Sequence, residues 1–106
     1  MPYLIQRSSR FLADVEEFGE YCEAYSPEYV VRQADRLDYA IRVLIGEAPW
    51  RWAPFIHTGL PHHAYFFRAG GRIQYWIVYT FNDASKTVRL LRLWGVSRLE
   101  SRFSVT

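Results

Sequence analysis

Gly70-Gly71-Arg72-Ile73-Gln74-Tyr75-Trp76-Ile77-Val78-Tyr79 and, after a turn, Thr87-Val88-Arg89-Leu90-Leu91-Arg92-Leu93-Trp94-Gly95-Val96-Ser97-Arg98 read as neighbouring strands of one sheet, and that reading decides the fold. Side chains alternate along a strand, so Ile73, Tyr75, Ile77, Tyr79 and Phe81 share one face while Arg72, Gln74, Trp76, Val78 and Thr80 share the other. The first set is the expected core face. Arginines carried out of an otherwise apolar sheet present cations to a polyanion or to the carboxylates of a partner. The sheet is therefore where function is to be sought.

Working outward, Asn82-Asp83-Ala84-Ser85 supplies the hairpin turn between a central strand over 72–81 and a last strand over 86–94. Before them, 63–68 reads as a strand that turns at Ala69-Gly70-Gly71. The stretch 49–62 contains Pro49, Pro54 and Pro61 and reads as irregular, with one short extended piece at 55–57. Long ordered loops of this kind are often functional. At the start of the chain Tyr3-Leu4-Ile5-Gln6-Arg7 reads as a strand, and Ser8 and Ser9 offer a helix cap. Phe11, Leu12, Val15, Phe18, Cys22 and Tyr25 then recur at helical spacing, with Asp14, Glu16 and Glu17 near the positive end of the helix dipole. Ser26-Pro27-Glu28 starts a second helix, whose apolar face is Val30, Val31, Ala34, Leu37, Ile41, Leu44 and Ile45 and which Gly46 and Pro49 end. Joined by almost nothing, the helices are expected to pack antiparallel and to cover the sheet. The tail over 96–106 has room for a strand or one helical turn.

A chain of 106 residues is one domain, and with 50% hydrophobic and 18% aromatic residues some apolar surface is expected to wait for a partner. Charge is divided unevenly. Residues 1–48 hold five arginines against nine acids, whereas residues 49–106 hold seven arginines and Lys86 against only Asp83 and Glu100. That asymmetry suggests a nucleic-acid or acidic-partner surface on one side. Arginine outnumbers lysine twelve to one, which suits forked recognition of phosphate or carboxylate. No run approaches the length needed to cross a bilayer, no leader pattern opens the chain, and the single Cys22 fits a reducing compartment, so a cytoplasmic location is expected.

The order strand, helix, helix, three-stranded meander resembles the RelE/ParE toxin superfamily of bacterial type II toxin-antitoxin systems. The resemblance covers nearly the whole chain. It rests on Tyr3-Leu4-Ile5 opening into Ala13-Asp14-Val15-Glu16-Glu17-Phe18, on Leu44-Ile45-Gly46-Glu47-Ala48-Pro49 closing the second helix, on Gly71-Arg72-Ile73-Gln74-Tyr75, and on Val88-Arg89-Leu90-Leu91-Arg92-Leu93 running to Gly95-Val96-Ser97-Arg98. It implies an α+β fold in which the first strand joins the meander's sheet (β-α-α-β-β-β) and a helical hairpin packs on it. The acids of the first helix, with Tyr21 after them, look more like the ParE branch, which poisons DNA gyrase, than the RelE branch, which cleaves messenger RNA on the ribosome.

Metal-free RNA cleavage needs a base, an acid and cations for the charge that builds on the phosphate. The resemblance places Arg72 and Arg98 at the family's two arginines, but the family's lysines are absent from His63-Ala64-Tyr65-Phe66-Phe67-Arg68, and Phe103 stands where a tyrosine is wanted. A substitute set would use His63 or His62 as base and Tyr65 as donor. A cognate antitoxin is the implied partner, laying apolar residues over exposed aromatics and carboxylates near Arg72, Arg92 or Arg98, with Arg68, Trp76 and Trp94 in the same surface. Trp50, Trp52 and Trp76, with Arg51 and Arg68, either stack nucleobases, fill a core or lie under an antitoxin helix. A non-toxic interaction domain on the same fold is the third reading. Neighbouring histidines on a strand face opposite ways, so neither a metal nor a cofactor is expected. Cys22 falls on the apolar face of its helix and is expected in the core.

Overall fold

The computed structural model describes residues 2–54, 62–68 and 74–96. Strand β1 (Leu4–Arg7) leads into helix α1 (Ser9–Glu23) and helix α2 (Pro27–Tyr39). A π-helical turn over Ala40–Ile45 continues α2, and a short 3-10 turn follows at Pro49–Arg51. Strands β2 (His63–Arg68), β3 (Gln74–Asn82) and β4 (Thr87–Gly95) complete an α+β fold.

Each helix starts where the sequence offers a hydroxyl. Ser8 Oγ accepts from the Phe11 N–H at 3.0 Å, and Ser26 Oγ accepts from the Tyr29 N–H at 3.1 Å, with Pro27 in the first turn where its missing N–H costs nothing. The first turn of α1 holds no acid, and Asp14, expected near the dipole's positive end, is buried instead. The second helix does not run as a regular α-helix to Ile45. Its last turn widens, and the Gly46 N–H reaches back to Ile41 C=O at 2.9 Å. A side chain at 46 would put its Cβ 2.4 Å from the Arg42 carbonyl oxygen, so this turn demands glycine. The Gly46 carbonyl then accepts from the Tyr3 N–H, which ties the end of the helix to the start of β1.

The four strands lie in the order β1-β4-β3-β2, with β1 parallel to β4 and the others an antiparallel meander. The first strand therefore joins the meander's sheet as expected. Register brings His63, Tyr65 and Phe67 opposite Tyr79, Ile77 and Tyr75. Those residues, with Phe81, Val88, Leu90 and Leu93, form the helix-side face of the sheet, and Phe11, Phe18, Cys22, Leu37, Ile41 and Ile45 pack onto it. Tyr75, Ile77, Tyr79 and Phe81 take the core side as expected because β3 alternates strictly through them, while Ile73 lies outside the described residues. A bulge interrupts the ladder: Val78 pairs with Arg92 but Tyr79 pairs with Leu90, leaving Leu91 as the extra residue on β4. Lys86 takes a positive φ of 53° to close the β3–β4 turn, where Asn82 Oδ1 accepts from the Ser85 N–H.

Candidate functional site

The sheet face turned away from the helices carries a row of rings and guanidinium groups running across the strands. Alternation places Phe66 and Arg68 of β2, Trp76 of β3, and Arg92 and Trp94 of β4 on it, and register sets Phe66 opposite Trp76 and Trp76 opposite Trp94. The Arg68 guanidinium lies over the Phe66 ring at 5.4 Å, Phe66 meets Trp76 edge-on at 4.9 Å, and the Arg92 guanidinium lies over the Trp94 ring at 4.9 Å. Cations held over aromatic faces are favoured electrostatically and keep their outer edge for a ligand. Access falls steadily along the row. Arg68 is exposed, Phe66 and Trp76 are half-buried, and Trp94 and Arg92 are buried.

The expectation that Arg92 offers a free cation is therefore corrected. Its Nε and one terminal nitrogen donate to both oxygens of Asp14, at 2.7 and 3.1 Å, and Asp14 also accepts from the Leu93 N–H at 3.0 Å. Position explains this. β1 covers the outer edge of β4 only as far as Leu90, and α1 crosses the rest of that edge. Ser8 N–H donates to Leu90 C=O, Ser8 Oγ to Leu91 C=O, and Asp14 takes the next outward N–H. Beside the bulge, the Arg92 side chain wraps this edge to reach the same carboxylate. Trp94, also expected at a partner surface, is only 6% exposed, too little to act as a contact without rearrangement.

His63 and Tyr65 fall on the other side of the sheet. Tyr65 meets Trp52 edge-on at 4.7 Å, Trp52 donates to Leu44 C=O, and the His63 ring packs against Tyr79 and Phe81. The proline-rich segment holds this cover in place: Tyr79 donates to Pro49 C=O at 2.5 Å, and Pro54 bridges to His63. Trp52 thus fills the core margin, while Trp50 stays exposed against Tyr3. His63 and Tyr65 consequently do not share a face with Trp76 and Arg68, and the alternative base His62, just before β2, is buried. Arg72, Arg98, Phe103 and the extended piece at 55–57 lie outside the described residues. Cys22 is buried in the core as expected, and among the described residues no group of His, Cys, Asp and Glu is placed to hold a metal ion.

Burial lowers the pKa of both His62 and His63 from 6.5 by disfavouring the charged ring. The unfolded chain thus takes up protons that the folded chain refuses. Stability is full above about pH 6.5 and falls as the pH drops toward the folded-state values. Thermal melts from pH 7.5 downward should show a declining midpoint, and the double variant His62→Gln/His63→Gln should flatten that slope.

Asp14 is the site residue that sequence reasoning missed. It stands three residues after Phe11 and four before Phe18, on the buried stripe itself, and that spacing was the available signal.

The fold is similar to a chain in the crystal structure of the toxin-antitoxin complex RelBE2 from Mycobacterium tuberculosis, with a TM-score of 0.60 and 15% identity over 92% of this chain and 95% of that one. No protein family model matches the sequence, and no curated protein matches it. The shared feature is the fold. No helix among the described residues is long and apolar enough to cross a membrane.

Proposed function

We propose that this chain is the toxin of a bacterial toxin-antitoxin pair, held inactive by a cognate antitoxin that covers the outer face of its sheet. The observation that carries the reading is the fold likeness, nearly end to end on both chains, to a component of a toxin-antitoxin complex. The outer face supplies what such a partner needs: an exposed guanidinium at Arg68 beside the half-buried rings of Phe66 and Trp76. An amphipathic, acidic segment would lay apolar side chains on the rings and a carboxylate on Arg68. Arg72 and Arg98, which lie outside the described residues, enter the proposal through the resemblance alone. Occlusion then silences the toxin without any change inside it.

The target in this proposal is DNA gyrase rather than ribosome-bound messenger RNA. What favours it is the placement of His63 and Tyr65 on the helix side, His63 against Tyr79 and Phe81 and Tyr65 against Trp52, away from the outer cations that would stabilise a phosphate. A nuclease needs its base and its cations around one scissile bond. Inducing the chain without an antitoxin and then mapping nucleic acids decides between targets. Gyrase-dependent DNA breaks with intact messages are expected, and cleaved messages with intact DNA would reverse the assignment. Toxicity should weaken in Arg72→Ala and Arg98→Ala, and an undiminished double variant would remove those positions from the site.

A further inference from the structure

We propose that the free edge of β2 docks an extended peptide segment of a protein partner, acidic at the end that meets Arg68. The inference goes beyond the toxin reading and does not depend on it. β2 is the outermost strand in the order β1-β4-β3-β2, so beyond the Pro54 bridge to His63 one of its sides has no strand neighbour among the described residues. A single hydrogen bond fixes which groups face that side. The Ala64 N–H donates away from β3, to Ala53 C=O at 3.0 Å. In an antiparallel pair each residue sends its N–H and C=O to the same side, and the side alternates. Ala64, Phe66 and Arg68 therefore direct their backbone groups outward.

Both ends of this edge are already closed. Ala53 occupies one, and at the other the Arg36 guanidinium donates to Arg68 C=O at 2.8 Å. Between them the Ala64 carbonyl, the N–H and C=O of Phe66 and the Arg68 N–H have no hydrogen-bond partner among the described residues. These groups open onto a cleft of about 440 Å³ between β2 and the second helix, whose far wall includes Arg36, Tyr39 and Leu44. A row of alternating donors and acceptors fits an extended backbone, because a helix has already used its own. Tyr39 is exposed and Leu44 half-buried, so the wall offers apolar contact to every second side chain of the added strand.

Charge chooses the occupant. The Arg36 guanidinium reaches the Arg68 carbonyl at one end of the cleft, both arginines line it, and Asp35 is the single acid among the described residues that do, which leaves a positive excess for an acidic peptide end. A second copy fits less well. Two-fold pairing about Phe66 would set each Arg68 against the other copy's Ala64 and bring no acid to either arginine pair.

Amide NMR of the full chain, titrated with short synthetic peptides of alternating valine and threonine ending in two aspartates or two lysines, tests this. The Phe66 and Arg68 amides should shift and gain protection from exchange, with the aspartate peptide binding about tenfold more tightly. Phe66→Pro removes an outward N–H without breaking the ladder to β3 and should weaken binding about tenfold. Arg68→Glu should reverse the peptide preference, and it carries the test should the proline variant fail to fold. Undisturbed Phe66 and Arg68 amides with every peptide, or full binding by a folded Phe66→Pro, would overturn the proposal. So would concentration-dependent shifts of those amides without peptide, which would assign the edge to a second copy.

Discussion

Asp14→Ala is expected to lose about 3–5 kcal/mol of folding stability, enough to leave a domain of ordinary stability partly unfolded. The loss has two sources. The Arg92 guanidinium is left charged at 2% exposure without its Asp14 carboxylate, and the Leu93 N–H loses its acceptor on an edge that no strand covers among the described residues. Much of that cost is the stranded charge rather than the net worth of the pair. The double variant Asp14→Leu/Arg92→Leu should therefore recover a good part of the loss, since replacing a buried pair by apolar groups is often neutral. Urea denaturation of the parent, both single variants and the double variant measures the cycle. A loss below about 1 kcal/mol in Asp14→Ala would mean that the pair behaves as an exposed one.

Phe18→Ala should be comparably damaging, at about 3–5 kcal/mol. Phe18 is buried and meets Phe67 edge-on at 6.1 Å and Tyr75 at 5.1 Å, so its ring joins the hairpin to two strands at once. Little else there is free to close the gap, because Tyr75 and Phe67 are fixed by pairing with each other in the ladder. Trp76→Ala, on the opposite face of the same sheet, should cost much less stability because its ring is only half-buried. In the proposed function the order reverses: Trp76→Ala is expected to fold but to bind antitoxin weakly. Similar stability losses in the two variants would place the core on both faces of the sheet and weaken the case for an outer working surface.

The alternation through β3 was legible because period two depends only on the chain, and it put Tyr75, Ile77, Tyr79 and Phe81 on the helix side. The β2 bounds at His63 and Arg68, both serine caps and the buried Cys22 were legible for the same local reason. What was not legible depends on residues far apart in sequence. Arg92 reads as a surface cation until α1 crosses the β4 edge and brings Asp14 to it. Val31 looks like part of the apolar face of α2 yet is 62% exposed, while Gln33 is buried, because the neighbour packed against a helix decides which stripe faces inward. The widened turn at Ala40–Ile45 shows itself only through the bonds it makes. Likewise Tyr65 became a packing residue once the proline-rich segment placed Trp52 against it, and His63 once Pro54 bridged to it beside Tyr79 and Phe81.

The toxin assignment is tested most directly by inducing the chain alone in a bacterial host and counting survivors, with Trp76→Ala and an antitoxin-expressing strain alongside. Growth arrest by the parent chain and rescue by co-expressed antitoxin are expected. Unimpaired growth with soluble, folded protein accumulating in the cells would contradict it.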